Sequence, residues 1–92
     1  MVREIEIEKY LMKRVKDKGG LCWKFTSGLA GMPDRIVMFP GGKLGFLEVK
    51  KPGSLPRALQ IKRITQINRL GFFSTWVDTK QKVDEVLNEI YS

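Results

Sequence analysis

Histidine is absent from the chain, and that absence removes Ser-His and Cys-His triads, zinc sites built on imidazole and nucleases that rely on a histidine base. The one cysteine, Cys22, has no partner for a disulfide, and its apolar neighbours Leu21 and Trp23 predict a buried thiol rather than a nucleophile. No run of about 18 apolar residues exists to cross a membrane, and the opening Met1-Val2-Arg3-Glu4 lacks the apolar stretch of a secretion signal. A soluble, intracellular protein without a membrane partner is the expectation. Carboxylates are scarce, ten against seventeen lysines and arginines. Any chemistry must run on those carboxylates, on lysines and hydroxyls, and on a hard metal ion.

With 92 residues the chain has room for one domain, residues 1–92. A hydrophobic share of 42% argues for an ordered fold rather than a basic tail. A net charge of +7 on so small a chain points to a polyanion, nucleic acid first. The plain alternative is a basic surface that serves solubility.

Residues 4 to about 18 have helical periodicity through Ile7, Leu11, Met12 and Val15, and Gly19-Gly20 ends it. Glu4 and Glu8 fall within that apolar face, where a carboxylate needs a reason. Leu21–Phe25 reads as a strand and residues 26–33 as a loop. Arg35–Phe39 and Leu44–Lys50 read as strands joined by a tight connection at Pro40-Gly41-Gly42-Lys43. Apolar residues on both faces make these two strands central, with cover on each side. A turn-rich linker (51–56) leads to a helix over 57 to about 70. A strand over 72–77 and a helix over 81–91 complete the order α-β-β-β-α-β-α. This is an α/β fold with a mixed sheet flanked by helices.

The scarce carboxylates fall in a pattern. If Pro40-Gly41-Gly42 is a three-residue loop, Phe39 pairs with Lys43, and counting back sets Asp34 opposite Glu48. Opposed side chains lie roughly 5 Å apart at Cβ, so the two acids repel unless something positive sits between them. Lys50, two residues beyond Glu48, shares its face. The simplest complete reading is a divalent cation held by Asp34 and Glu48, because Mg²⁺ binds through one or two carboxylates plus waters and phosphate oxygens. Lys50 would steady the attacking water or the charge growing on phosphorus. Glu8, directed inward from the first helix, is placed to complete the shell directly or through water.

Each residue also has a plain reading. Asp34 follows a proline, as turn aspartates do; Glu48 and Lys50 could form a simple ion pair; Gln60 could be a polar residue at a helix start. Lys24, Arg35, Lys51, Arg57, Lys62 and Arg63 are candidate contacts to DNA phosphates, yet any one could be ordinary solvated surface. Gly28-Leu29-Ala30-Gly31 would let a phosphate backbone approach closely. Trp23, Trp76, Phe72 and Phe73 read as core rather than as base-stacking platforms.

Gly31-Met32-Pro33-Asp34-Arg35, followed by Glu48-Val49-Lys50, resembles the PD-(D/E)xK nuclease signature. With Ile7-Glu8-Lys9-Tyr10-Leu11, Leu47-Glu48-Val49-Lys50 and a helical Gln60, nearly the whole chain resembles the VRR-NUC family. The resemblance implies a restriction-endonuclease-like core and Mg²⁺- or Mn²⁺-dependent hydrolysis of DNA, often at branched structures such as four-way (Holliday) junctions. It implies Asp34, Glu48 and the carbonyl of Val49 as metal ligands. Lys50 would be the catalytic lysine, Glu8 the helix carboxylate and Gln60 a supporting polar group. Stand-alone members of this size occur in phages and bacteria, so the cytoplasm of a bacterial cell or phage-infected host is the implied location. Symmetric cutting of a junction would need a second copy, hence a homodimer. A flap or end-processing nuclease, or a non-catalytic nucleic-acid-binding module, are the alternatives.

Overall fold

The computed structural model describes Met1–Ser92. Seven elements follow one another: α1 (Glu4–Asp17), β1 (Leu21–Lys24), β2 (Arg35–Phe39), β3 (Lys43–Val49), α2 (Ala58–Arg69), β4 (Phe73–Val77) and α3 (Lys80–Tyr91). The expected order is met, and the strands form one sheet in the order β1-β2-β3-β4. β1, β2 and β3 make an antiparallel meander. β4 lies parallel to β3 after the crossover through α2, which gives the mixed sheet.

The tight turn sets the register. Gly41 and Gly42 both take positive φ, which leaves Phe39 facing Lys43 and carries the pairing down to Arg35 against Leu47. α1 covers one face of the sheet with Ile7, Leu11 and Val15, and α3 adds Val83, Val86, Leu87 and Ile90. They close on Val37, Phe39, Leu47, Val49 and Val77 in a single apolar core. Thr79 caps α3 by accepting from the Lys82 amide, and Tyr10 of α1 donates to Asp84 of α3 over 2.6 Å. No helix is long and apolar enough to cross a membrane.

The opposite face is covered differently from expectation. β2 and β3 are central, but α2 packs chiefly on β4 and buries only Gln60 and Ile64. The outward side chains of β2, Ile36 and Met38, are therefore only half-buried. The Asn68 side chain fixes the end of α2 to β4, donating to the Ser74 carbonyl (3.0 Å) and accepting from the Ser74 amide (2.8 Å). Leu59 and Leu70, which fall at helical spacing with Ile64 and Ile67 and so would be expected inward, are exposed, as is Met12 on α1.

Two aromatic assignments also change. β4 begins at Phe73, so Phe72 lies outside the strand and is exposed. Trp23, expected in the core, is 57% exposed because β1 is an edge strand on which only Cys22 turns toward the core cluster. Period-two alternation allows just one of two adjacent residues to face inward. Here it is the smaller one.

Candidate active site

Asp34 enters the site from the residue before β2, and Glu48 from the penultimate position of β3. The Arg35–Leu47 pair puts them opposite one another. They are electrically coupled. Burial, and after it the charge of Glu8, raises the Asp34 pKa above the usual carboxylate range. Burial, and after it the charge of Asp34, raises that of Glu48. Glu48 is 8% exposed within a strand, and the nearest cation is the Lys50 ammonium, 3.8 Å from Oε2. That distance is a loose ion pair, so the ammonium keeps donors free. Asp34 Oδ1 is buried without a hydrogen-bond partner. A buried lone pair without a donor costs free energy.

These features fit a hard cation. Two mutually repelling, partly buried carboxylates with an orphaned oxygen are a donor set that a divalent ion relieves. The Val49 carbonyl is suitably disposed. The Lys50 amide donates to Val77 on β4, so across the trans peptide the Val49 carbonyl points the other way, toward β2. Continuing the register sets Pro33 there, which has no N–H to give. No group of three or more acidic, cysteine or histidine side chains converges on one point.

Glu8 is held by an ion pair at the edge of the site. It pairs with the Arg35 guanidinium at 3.2 Å, beside Asp34, where its charge still reaches the site. Arg35, a candidate phosphate contact in the sequence, is 7% exposed and spent on this pair. Glu4 is exposed. Gln60 is buried, and its Oε1 accepts the Arg57 amide at 2.8 Å, so one end of that side chain caps α2 while its amide donors remain. Lys24, Lys51 and Arg57 are exposed.

The loop leading to Asp34 is fastened rather than open. Gly31 has φ +83°, and a Cβ there would lie 2.7 Å from Leu59 Cγ, so its glycine serves the approach of α2. Arg63 of α2 donates to the Ala30 carbonyl at 3.0 Å. A cleft of about 330 Å³ is lined by Phe25 through Met32 and includes none of Asp34, Glu48 and Lys50. The carboxylates stand on the half-covered sheet face.

One signal in the sequence was missed. From Val49 to Val77 there are six cations, Lys50, Lys51, Arg57, Lys62, Arg63 and Arg69, and no carboxylate. The rest of the chain nets only +1. Nearly all of the positive excess thus sits in the segment that carries Lys50 and α2.

No protein-family model matches the chain. A solved structure described as "VRR_NUC domain" superposes with a TM-score of 0.87 at 28% identity, covering 96% of this chain and 97% of that one. A protein of Acyrthosiphon pisum secondary endosymbiont phage 1 named "Putative nuclease p44" is 42% identical over 72 residues, 77% of each chain. The chain belongs to the VRR-NUC family. As a VRR-NUC protein it has the restriction-endonuclease-like arrangement that its sequence predicted, with three helices about a four-stranded mixed sheet.

Proposed function

We propose that the chain is a metal-dependent DNA endonuclease that hydrolyses phosphodiester bonds at branched DNA, four-way junctions among them. The observation that carries this reading is the juxtaposition of Asp34 and Glu48 on neighbouring strands with Lys50 3.8 Å from Glu48. The family supplies the reaction class, and the +7 charge suits a polyanionic substrate.

Asp34, Glu48 and the Val49 carbonyl would hold Mg²⁺ or Mn²⁺. When bound, such an ion supplies polarisation of the phosphodiester and a lowered pKa for water. Lys50 directs its free N–H donors at the incoming water or at the phosphoryl oxygens as their charge grows. Arg35 and Glu8 fix the start of β2 and so the position of Asp34. Gln60 offers its amide donors from the first turn of α2. Lys24, Lys51 and Arg57 hold phosphates on either side of the cut. A single domain spanning the chain carries one such site, so two copies in a twofold dimer would cut both strands of a junction, in the cytoplasm of a bacterial or phage-infected cell.

The test is a cleavage assay on labelled four-way junctions, flaps and linear duplexes with Mg²⁺, Mn²⁺, Ca²⁺ or EDTA. Paired, symmetric cuts in junctions with Mg²⁺ or Mn²⁺ and none in EDTA are expected. Products shortened from one end would replace the junction substrate with a flap or end. No cleavage of any DNA with either metal would leave a binding module.

A further inference from the structure

The half-covered sheet face carries an aromatic ring that nothing in the fold uses. Trp23 on β1 pairs with Ile36 on β2, and Ile36 pairs with Phe46 on β3. Cross-strand partners share a face, and Phe46 shares its face with Glu48 two residues on. Trp23 therefore looks out on the same side of the sheet as Glu48 and Lys50. It lies two strands over, roughly 10 Å, and one side-chain row back, roughly 7 Å. Phe25, whose amide donates to the Asp34 carbonyl at 2.7 Å, stacks edge-on against Phe46 at 5.8 Å and fills the space between the ring and the carboxylates. Trp76, the other tryptophan, is half-buried with the Lys82 ammonium 3.4 Å from its ring centre. Trp23 has no such partner among the aromatic and cation contacts.

We propose that Trp23 is a stacking platform for one unpaired nucleobase of the strand being cut, a nucleotide or two from the scissile phosphate. The proposal rests on the nuclease reading of the Asp34–Glu48 site and narrows its substrate. Three observations select a nucleobase as the occupant. The ring is flat, apolar and 57% exposed, which suits the π-face that every base has. Lys24 follows it on the same edge strand; it alternates to the other face, but it is exposed at the rim of the sheet and its charge reaches Asp34, within range of a phosphate on a strand that crosses the site. The cations of residues 49–77 lie beyond the carboxylates from it, so a strand crossing this face passes the platform, the acids and the basic segment in turn. In an intact duplex both faces of every base are stacked, so an exposed ring can receive only a base that has left its stack. The preferred DNA must have an unpaired or junction nucleotide beside the cut.

The experiment measures equilibrium binding, in EDTA, of a labelled oligothymidine, the same strand with abasic residues, and a blunt duplex of equal length. Wild type, Trp23→Ala and Trp23→Phe are compared, with circular dichroism and sedimentation to follow fold and assembly. Trp23→Ala should bind the oligothymidine roughly five- to a hundredfold more weakly, Trp23→Phe should recover most of that, and duplex binding should not change. Abasic residues should weaken wild type by a similar factor and leave Trp23→Ala indifferent. Were Trp23→Ala to fold poorly, the abasic effect on wild type and on Trp23→Phe carries the test. Equal loss for strand and duplex, no loss at all, or a change of oligomeric state, which would mean that a second copy covers the ring, overturns the platform. Cleavage by wild type with Mn²⁺ is followed in parallel. A protein that cuts DNA without Trp23-dependent strand binding sinks the platform alone, and Trp23-dependent binding without any cleavage sinks the nuclease reading alone.

Discussion

Arg35 and Glu8 meet 3.2 Å apart beneath the acidic site, one on the first residue of β2 and the other on α1, both largely out of solvent. Removing one partner of such a pair strands the other, at a cost of about 3 to 5 kcal/mol when burial is complete. Glu8 is the more exposed of the two, so Arg35→Ala should lose about 3 kcal/mol in urea unfolding and Glu8→Gln less. Arg35→Met with Glu8→Leu should be more stable than Arg35→Ala alone. If the losses of Arg35→Met and Glu8→Leu, each measured singly, sum to the loss of that double variant, the two groups are not coupled.

Asp34 and Glu48 predict an inverse dependence of stability on function. Both folded-state pKa values are raised, chiefly by burial. A raised value means that the proton binds the folded protein more tightly. The stabilisation is complete below the unfolded carboxylate values of about 4 and is lost as pH rises through the folded ones. At neutral pH the ionised pair is a cost. In EDTA the double variant Asp34→Asn, Glu48→Gln should therefore melt a few degrees above wild type at pH 7, and the gap should close toward pH 4. The same variant should cut DNA at least about a hundredfold more slowly. A lower melting temperature at pH 7 would contradict the electrostatic account.

Lys50 is held only loosely by Glu48, at 3.8 Å, and makes no other ion pair. Truncating it should touch the reaction and not the fold. Lys50→Ala should lower kcat by about a hundred- to a thousandfold, with DNA affinity and melting temperature nearly unchanged. Full activity in this variant would remove the lysine from the chemistry.

Much of this was legible in the chain. Periodicity placed the elements, and three turn residues between Phe39 and Lys43 fixed the register that brings Asp34 to Glu48. Such features are local or follow from counting. What could not be read is long-range. Nothing near Arg35 in sequence says that Glu8 on another element neutralises it, and the alternation of β1 does not say that β1 is an edge. Trp23 and Phe72 looked like core because their residue type favours burial, yet α2 sits over β4 and leaves that half of the sheet thinly covered. The basic stretch from 49 to 77 was readable by counting charge along the chain.

Cys22 should be chemically quiet. Burial pushes its pKa up to about 11, which at pH 8 leaves about a hundredfold less thiolate than an ordinary cysteine has. Labelling by a disulfide reagent should be slower in the native protein by about that factor and become rapid in denaturant. Native labelling at the denatured rate would show that the thiol is open to solvent.

The segment from 49 to 77 supplies the final expectation. Six cations without a carboxylate make this segment the source of nearly all the net charge. Of these, Lys51, Arg57, Lys62 and Arg69 are exposed, while Arg63 is occupied by the Ala30 carbonyl and the Gln66 side chain. A cation that touches a phosphate releases a counterion, so the logarithm of affinity falls with the logarithm of salt by about 0.9 for each contact. Replacing Lys51, Arg57 or Lys62 by Ala should each reduce that slope by about one and weaken all DNAs alike. Lys13 of α1 is committed to Asp17 at 3.0 Å, and Lys13→Ala should leave the slope as it was. Equal effects from both sets would mean that the DNA senses only total charge; a difference confined to the first set would trace the strand along α2 toward Lys50.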